Sequence, residues 1–326
     1  MYVKLLFEFR IVSAGDSVWV SVFASDTRVV ADSVLDLIGN TPMVRINRLT
    51  GEDDATVLAK LERFNPGGSV KDRIAKYMVE QLERRGKLTR EKTILEATSG
   101  NTGVGLAMVA AVKGYKAVLV MPEDVTYERI AQIKAYGAEV ILTPKENGEA
   151  GAIEYALRML RENPEKYVML DQFNNPLNPL AHYETTGREI IEQTEGRIDM
   201  FIAGIGTAGT LVGVGRRLKE FNPKIKVVAV EPPLGENIPG LRNMKEPHPP
   251  SILDETVIDE KVAVTLEEAI AMMKNLARIE GLFVGVSSGA SMHVAIEKAR
   301  KLGKGKTIVT ILPDLGERYI SKNYFP

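Results

Sequence analysis

The chain of 326 residues contains no cysteine, which excludes disulfide bonds, thiolate metal sites and a cysteine nucleophile. It also has only three histidines, His182, His248 and His293, and no two of them are close in sequence. Because zinc sites and catalytic triads draw on several histidines or thiolates, we expect neither a metal centre nor a histidine-based triad.

A strong net charge and long apolar runs are missing as well. The 42 basic and 43 acidic residues leave a formal net charge of −1, which gives no reason to expect nucleic acid or an anionic membrane as a partner. No apolar run approaches the roughly 18–20 residues of a membrane span. Lys4, Glu8, Arg10 and Asp16 interrupt the N-terminal region, which does not fit a signal peptide. We therefore expect a cytoplasmic protein.

Alternating apolar strands and amphipathic helices predict an α/β protein with mainly parallel sheets that are covered on both faces. The predicted strands are Thr56–Leu61, Thr93–Ala97, Ala117–Met121, Glu139–Leu142, Tyr167–Leu170, Met200–Ala203, Val227–Val230 and Thr307–Leu312. The predicted helices are Val70–Arg85, Val104–Lys113, Glu128–Tyr136, Glu149–Asn163, Ala181–Gln193, Leu211–Phe221, Leu266–Glu280 and Ser291–Lys301.

Two segments stand apart from this alternation. Residues 1–30 contain apolar stretches at Val3–Val12 and Val18–Phe23 with a turn sequence between them, which predicts an N-terminal β-hairpin. Glu231–Asp254 is irregular and rich in proline and glycine. Loops of that length are usually functional or mobile.

The stretch Asn65-Pro-Gly-Gly-Ser-Val-Lys-Asp-Arg73 places Lys71 in the first turn of a helix, directly after a tight turn. Ser69 and Asp72 have the spacing of a capping box. The helix dipole and burial both disfavour the ammonium form of such a lysine. A neutral amine of this kind can form a Schiff base with a carbonyl cofactor, although most lysines near helix starts are solvated surface charges.

Two polar loops follow strands and open helices, the position at which backbone N–H groups bind anions. Thr98-Ser-Gly-Asn-Thr-Gly103 is either such an anion site or a plain capped turn. Gly204-Ile-Gly-Thr-Ala-Gly-Thr210 suits a phosphate, but it also fits the dinucleotide fingerprint, with Glu231 where a ribose-binding acid would lie. The extra threonine hydroxyls and the late position in the chain favour the phosphate reading.

These motifs resemble those of the cysteine synthase and cystathionine β-synthase family, the fold-type II enzymes that use pyridoxal 5′-phosphate (PLP). The resemblance runs from about Ser33 to the C-terminus. It implies two interleaved three-layer α/β domains: a larger PLP-binding domain of residues 31–74 and 176–326, and a smaller mobile substrate domain of residues 75–175. Residues 1–30 would be an extension, and a homodimer is implied.

The same resemblance implies a role for each site residue. Lys71 would bind PLP and act as the general base, Asn101 would contact the phenolic oxygen, and Ser287, in Gly285-Val-Ser-Ser-Gly-Ala290, would contact the pyridine nitrogen. A serine there also fits an ordinary helix N-cap. The remaining roles fall into two groups. The substrate carboxylate would be bound by Thr98, Ser99, Thr102 and Gln172, and the cofactor phosphate by Gly206, Thr207, Ala208, Gly209 and Thr210.

Ala208 departs from the usual phosphate loop, which has glycine at that position, and its methyl group is tolerable if the residue has a negative φ. Leu241-Arg-Asn-Met244 resembles the branch of the family that uses O-phospho-L-serine, in which the arginine, here Arg242, pairs with the substrate phosphate. The implied reaction is β-replacement on O-phospho-L-serine or O-acetyl-L-serine, with sulfide or another sulfur donor giving L-cysteine. Alternatives are a cystathionine β-synthase or serine dehydratase, an NAD-dependent dehydrogenase, and an inactive scaffold.

Overall fold

The computed structural model describes residues 12–14, 17–19, 30–98, 100–246 and 249–325. Contacts divide the chain into residues 1–33 and 34–326. In the first unit, β1 (Val12–Ala14) pairs antiparallel with β2 (Ser17–Trp19), and Val12 lies opposite Trp19. The antiparallel pairing agrees with the predicted hairpin, but the strands extend into residues 13, 14 and 17, which were predicted as turn. The rest of that hairpin lies outside the described residues.

The second unit contains two sheets. Their strands are β3 (Met43–Arg45), β4 (Thr56–Leu61), β5 (Thr93–Ala97), β6 (Lys116–Pro122), β7 (Glu139–Thr143), β8 (Tyr167–Met169), β9 (Met200–Gly204), β10 (Lys226–Glu231), β11 (Glu260–Ala263) and β12 (Thr307–Leu312). The larger sheet has the order β11-β10-β9-β12-β4-β3, and the smaller sheet has the order β7-β6-β5-β8. Pairing is parallel except between β3 and β4, which confirms the predicted α/β fold with mainly parallel sheets.

Helices cover both sheets. They are α1 (Lys71–Arg84), α2 (Asn101–Lys113), α3 (Tyr127–Ala135), α4 (Gly148–Glu162), α5 (Leu177–Glu184), α6 (Thr186–Gln193), α7 (Gly209–Phe221), α8 (Leu266–Glu280) and α9 (Val286–Leu302). Because the parallel strands are covered on both faces, their side chains are buried without alternation, as in β5, where all five residues are buried. Within the described residues, no helix is both long enough and apolar enough to cross a membrane.

The helix predicted at Ala181–Gln193 is wrong, because the structure has two helices that meet at Thr185. The Thr185 hydroxyl donates to the carbonyl of Ala181 at 2.7 Å. Bonds of this kind from a threonine to the carbonyl four residues earlier tend to bend a helix. The first helix also begins earlier, at Leu177, since Pro179 lies in its first turn, where no backbone N–H is required.

Candidate active site

A cavity of about 420 Å³ lies among the loops that follow β4, β5, β9 and β12. This is the carboxyl end of the parallel strands, where ligands of open α/β sheets bind. The predicted site residues that line it are Lys71, Thr98, Asn101, Thr102, Gln172, Gly206, Thr207, Ala208, Thr210, Arg242 and Ser287. Gly209 lies outside the lining, at the first position of α7, and Ser99 lies outside the described residues.

Lys71 is the first residue of α1 and reaches the cavity wall. Burial lowers the pKa of Lys71, while the negative charges of Asp314 and Glu62 act in the opposite direction. The direction agrees with the prediction, and its main cause is the removal of the ammonium from water. An amine with a lowered pKa can serve as a nucleophile and as a base.

The turn before Lys71 is fixed by buried hydrogen bonds. The Asp72 carboxylate accepts from the Gly67 N–H at 2.6 Å, and Asn65 donates to Glu62 Oε2 at 2.9 Å. The predicted capping box does not form, because the Ser69 hydroxyl accepts instead from the Lys71 N–H at 3.2 Å. Asp72 therefore closes the turn rather than the helix end.

Arg73 anchors the same helix to the larger sheet. Its guanidinium donates to Glu62 at 2.6 and 2.9 Å and to Glu189 at 2.6 and 2.8 Å. Lys60 adds a bond to Glu189 at 2.8 Å. All four side chains are buried, so each charge depends on its partners rather than on water.

The loop at Thr98–Gly103 is connected to Gln172 and Glu96. The Thr102 hydroxyl donates to Gln172 Oε1 at 2.6 Å, so two predicted carboxylate ligands are direct neighbours. Glu96 accepts the backbone N–H groups of Leu170, Asp171 and Gln172, at 3.1, 2.8 and 3.2 Å. Burial raises the pKa of Glu96 to about 8. Glu96 thereby fixes the backbone that carries Gln172.

The amide of Asn101 is held by two residues near the C-terminus. Asn101 Nδ2 donates to Asp314 Oδ2 at 2.8 Å, and Arg318 Nη1 donates to Asn101 Oδ1. Arg318 Nη2 also donates to the carbonyl oxygen of Gly67, in the turn before Lys71. The first residue of α2 and the Lys71 turn are thus bridged by one buried guanidinium.

The loop at Gly204–Thr210 forms a cup at the start of α7. Within the described residues, the backbone N–H groups of Gly206, Thr207 and Ala208 donate to no protein acceptor. Unpaired N–H groups and the positive end of a helix dipole make an anion site. The Thr207 hydroxyl accepts from Asn178 at 3.1 Å, and it lies at the cavity wall.

His182 supports the other hydroxyl of this cup. Its Nε2 lies 3.2 Å from Thr210 Oγ1, and its Nδ1 lies 3.0 Å from Thr186 Oγ1. Burial lowers the pKa of His182 to about 3, so the ring is neutral at physiological pH. When the ring proton is on Nε2, Thr210 accepts it and keeps its own O–H for an anion in the cavity.

Ala208 contradicts the expectation of a negative φ, because it has φ +68°. A residue with a Cβ in this left-handed region carries about 1–2 kcal/mol of strain. The methyl group is buried in a hydrophobic cluster, which offsets part of that cost. Gly206 is more constrained, since an added Cβ would lie 2.5 Å from the carbonyl oxygen of Gly240.

Ser287 lies inside the first turn of α9, and the N-cap position belongs to Gly285. Its ordinary explanation as a helix cap therefore does not apply. The side chain is buried and lines the cavity, and a Cβ added at Gly240 would lie 3.7 Å from its hydroxyl oxygen. A buried hydroxyl at a cavity wall can hydrogen-bond a ligand.

Arg242 reaches the cavity from the irregular segment. Its guanidinium lies 3.4 Å from Glu149 and 3.8 Å from Glu246, and it lies over the ring of Phe173 at 5.3 Å. The backbone N–H of Arg242 donates to the carbonyl of Ile205 at 2.8 Å, which ties the segment to the cup. Arg242 thus places a cation in the lining of the same cavity as Lys71.

Glu231 is not placed as a dinucleotide loop requires. Its carboxylate accepts the backbone N–H of Met244 at 3.0 Å and is buried. A ribose-binding acid needs a free carboxylate at the end of its strand. The structure therefore favours a phosphate cup over a dinucleotide site.

Four contributors to the site were missed from the sequence: Glu96, His182, Asp314 and Arg318. Glu96 had a signal, because an acid within the apolar strand Thr93–Ala97 requires buried partners. Asp314 and Arg318 follow the last apolar strand without a recognisable pattern. Their relation to Asn101, more than 200 residues earlier, appears only in the folded chain.

Comparison with known proteins identifies the class. The model of the family described as "Pyridoxal-phosphate dependent enzyme" matches residues 34–314. A half-buried lysine with a lowered pKa and an anion cup beside one cavity fit this cofactor, which carries an aldehyde and a phosphate. When bound, it supplies an electron sink that stabilises negative charge on the substrate.

Individual relatives identify the family within this class of enzymes. The chain is 46% identical over 298 residues to a cysteine synthase of Staphylococcus aureus, covering 89% of this chain and 96% of the relative. It is 46% identical over 293 residues to cysteine synthase B of Pseudomonas aeruginosa, covering 90% and 97%. The solved structure of a cysteine synthase from Entamoeba histolytica is similar, with a TM-score of 0.87, 36% identity and 92% of each chain covered. The chain belongs to the pyridoxal-phosphate dependent enzymes and, within them, to the cysteine synthase family.

Proposed function

We propose that the chain is a PLP-dependent cysteine synthase whose preferred substrate is O-phospho-L-serine. The observation that carries the choice of substrate is Arg242 at the cavity wall. A guanidinium fork matches the oxygens of a phosphate dianion, whereas an acetyl ester offers it no comparable charge. The contacts to Glu149 and Glu246, at 3.4 and 3.8 Å, are longer than a direct charge-assisted bond of about 2.7–2.9 Å, and a substrate phosphate would compete with these carboxylates for the guanidinium.

In this proposal the cup binds the cofactor phosphate through its N–H groups and through Thr207 and Thr210. Ser287 and Asn101 contact the ring. Thr98, Ser99, Thr102 and Gln172 bind the carboxylate of the substrate. That assignment is supported by the Thr102–Gln172 bond and by the cavity that these described residues share.

Lys71 supplies the proton transfers. As a neutral amine it removes the proton from Cα of the substrate, and it later returns that proton to the same carbon. Between these steps the Cβ–O bond breaks, its electrons leave with phosphate, and sulfide forms the new Cβ–S bond. One O-phospho-L-serine and one hydrosulfide ion give one L-cysteine and one phosphate.

The test compares two substrates in an Arg242→Ala variant. We expect kcat/KM for O-phospho-L-serine to fall at least about 30-fold, the effect of losing bonds to a charged group, and kcat/KM for O-acetyl-L-serine to change less than about threefold. Arg216→Ala removes a partly exposed arginine whose partner is Asp254 and serves as the matched control. An equal loss with both substrates in Arg242→Ala would refute the assignment.

Serine dehydratase and cystathionine β-synthase reactions would use the same cofactor cradle. Product analysis with serine and homocysteine separates them from cysteine synthesis.

We also propose that the enzyme is a cytoplasmic homodimer in which the segment 75–175 forms the smaller domain, since that segment contributes the smaller sheet. Sedimentation velocity tests the dimer.

A further inference from the structure

We propose that Asp314 and Arg318 are positioning residues that fix the amide of Asn101 so that one of its N–H bonds points to the bound cofactor. The inference rests on the proposed function, because it assigns a purpose to Asn101 at the PLP site. Neither Asp314 nor Arg318 lines the cavity, and both hydrogen-bond the amide of Asn101.

The charges on the two sides of the amide determine its orientation. Asp314 Oδ2 accepts from Asn101 Nδ2 at 2.8 Å, and the Arg318 guanidinium donates to Asn101 Oδ1. A flip of the amide by 180° would place its NH2 group against the guanidinium and its oxygen against the carboxylate. Both contacts would be repulsive, so the anion and the cation together select one orientation.

That orientation leaves one donor for a ligand. An asparagine amide has two N–H bonds, and the bond to Asp314 uses one of them. Within the described residues, the second N–H has no protein acceptor, and Asn101 lines the same cavity as Lys71. The second N–H is therefore available to an oxygen of the cofactor.

Burial makes the arrangement rigid. Asp314 is 0% exposed and Arg318 is 3% exposed. Tyr319 also donates to Asp314 Oδ2, at 2.8 Å, and a Cβ added at Gly285 would lie 2.1 Å from Asp314 Oδ1. The carboxylate thus has little freedom to move. Arg318 is held in turn by the carbonyl of Gly67, so the Lys71 turn and Asn101 share one support.

The experiment is a double-mutant cycle read through cofactor binding. Asp314→Asn and Arg318→Gln are each made in the wild-type chain and in Asn101→Ala. Two quantities are measured: the PLP dissociation constant by fluorescence titration, and the pH dependence of the cofactor absorbance band. In the wild-type chain we expect each substitution to weaken PLP binding about tenfold and to shift the pH profile. In Asn101→Ala we expect Asp314→Asn to have little further effect on the PLP dissociation constant, because the donor through which it acts is gone. Arg318→Gln should keep only the part of its effect that comes from its bond to the carbonyl of Gly67.

Tyr319→Phe is the matched control, since it removes a bond to Asp314 and leaves both bonds to Asn101 in place. We expect it to change the PLP dissociation constant less than about threefold. If Asp314→Asn weakens PLP binding equally with and without Asn101, its role is general packing and the inference is wrong. If Arg318→Gln fails to fold, the Asp314→Asn arm still decides. A wild-type protein that binds no PLP would refute the proposed function itself.

Discussion

The two sides of the cavity hold their cations in different ways. Most residues of the Lys71 wall (residues 62–73) are buried, and its charged groups have short bonds, such as the 2.6 Å contacts of Arg73. The Arg242 wall (residues 235–246) is irregular, and its arginine has carboxylate contacts of 3.4 and 3.8 Å. In the proposed function, the amine that performs the chemistry thus lies on a helix held by buried ion pairs, whereas the cation that would select the leaving group lies on an irregular segment, the kind of segment that varies most between related proteins.

The largest effect on stability should come from Arg73, because it compensates two buried carboxylates. We expect Arg73→Met to lower the free energy of unfolding by about 3–5 kcal/mol, the cost of leaving buried charges without their partner. Arg216→Ala, which breaks the more exposed pair with Asp254, should cost less than about 1 kcal/mol. Urea denaturation measures both. If both variants lose the same free energy of unfolding, the buried ion pairs of Arg73 stabilise the fold no more than an exposed ion pair does.

A second change tests the contact between the cup and the Arg242 wall. Gly206→Ala places a Cβ 2.5 Å from the carbonyl oxygen of Gly240, so the backbone must shift, at a cost of about 1–3 kcal/mol. We expect the PLP dissociation constant to rise about 10- to 100-fold. Gly51→Ala is the control, because its Cβ would meet Asp54 at an ordinary 3.6 Å. Unchanged PLP binding in Gly206→Ala would show that the cup and the Arg242 wall are not coupled.

The smallest effect concerns the charge of Lys71 in the protein without cofactor. Burial lowers the pKa of Lys71 below its ordinary 10.5, so the folded protein binds the proton of this amine less tightly than the unfolded chain does. Lys71→Met should therefore raise the free energy of unfolding at pH 7. As the pH rises through the folded pKa towards 10.5, the folded state loses its proton first, so the gain from methionine should shrink.

Denaturation of Lys71→Met and wild type at pH 7 and pH 10 tests whether the gain in the free energy of unfolding shrinks as the pH rises. Lys224→Met, at an exposed position, should show no such dependence. A gain from Lys71→Met that grows with pH would contradict a lowered pKa.

Much of the fold could be predicted, because apolar strands and their bounding turns are local signals. Thr56–Leu61, Thr93–Ala97 and Thr307–Leu312 have the predicted bounds. The short strands Met43–Arg45 and Glu260–Ala263 were missed because they lie at the edges of the larger sheet, where burial is incomplete and no apolar run marks them. The break at Thr185 depends on one hydroxyl bond and was also missed.

The features of the site can also be divided into those that have a local sequence signal and those that have none. Its loops are visible because glycine and hydroxyl residues cluster at helix starts, and the structure brings at least one residue of each loop to one cavity. The φ of Ala208 and the supports of Asn101 were not predictable, since they depend on residues far along the chain. His182 was considered only as a metal ligand or triad member, because nothing in the sequence places it beneath Thr210.

The central claim is that the Lys71 amine carries the cofactor. The most direct measurement is borohydride reduction of the purified yellow protein, followed by proteolysis and mass spectrometry. The account predicts that the reduced cofactor is attached to the peptide containing Lys71, and that Lys71→Met yields no such peptide. Attachment to a different lysine, or full cysteine synthesis by Lys71→Met, would contradict it.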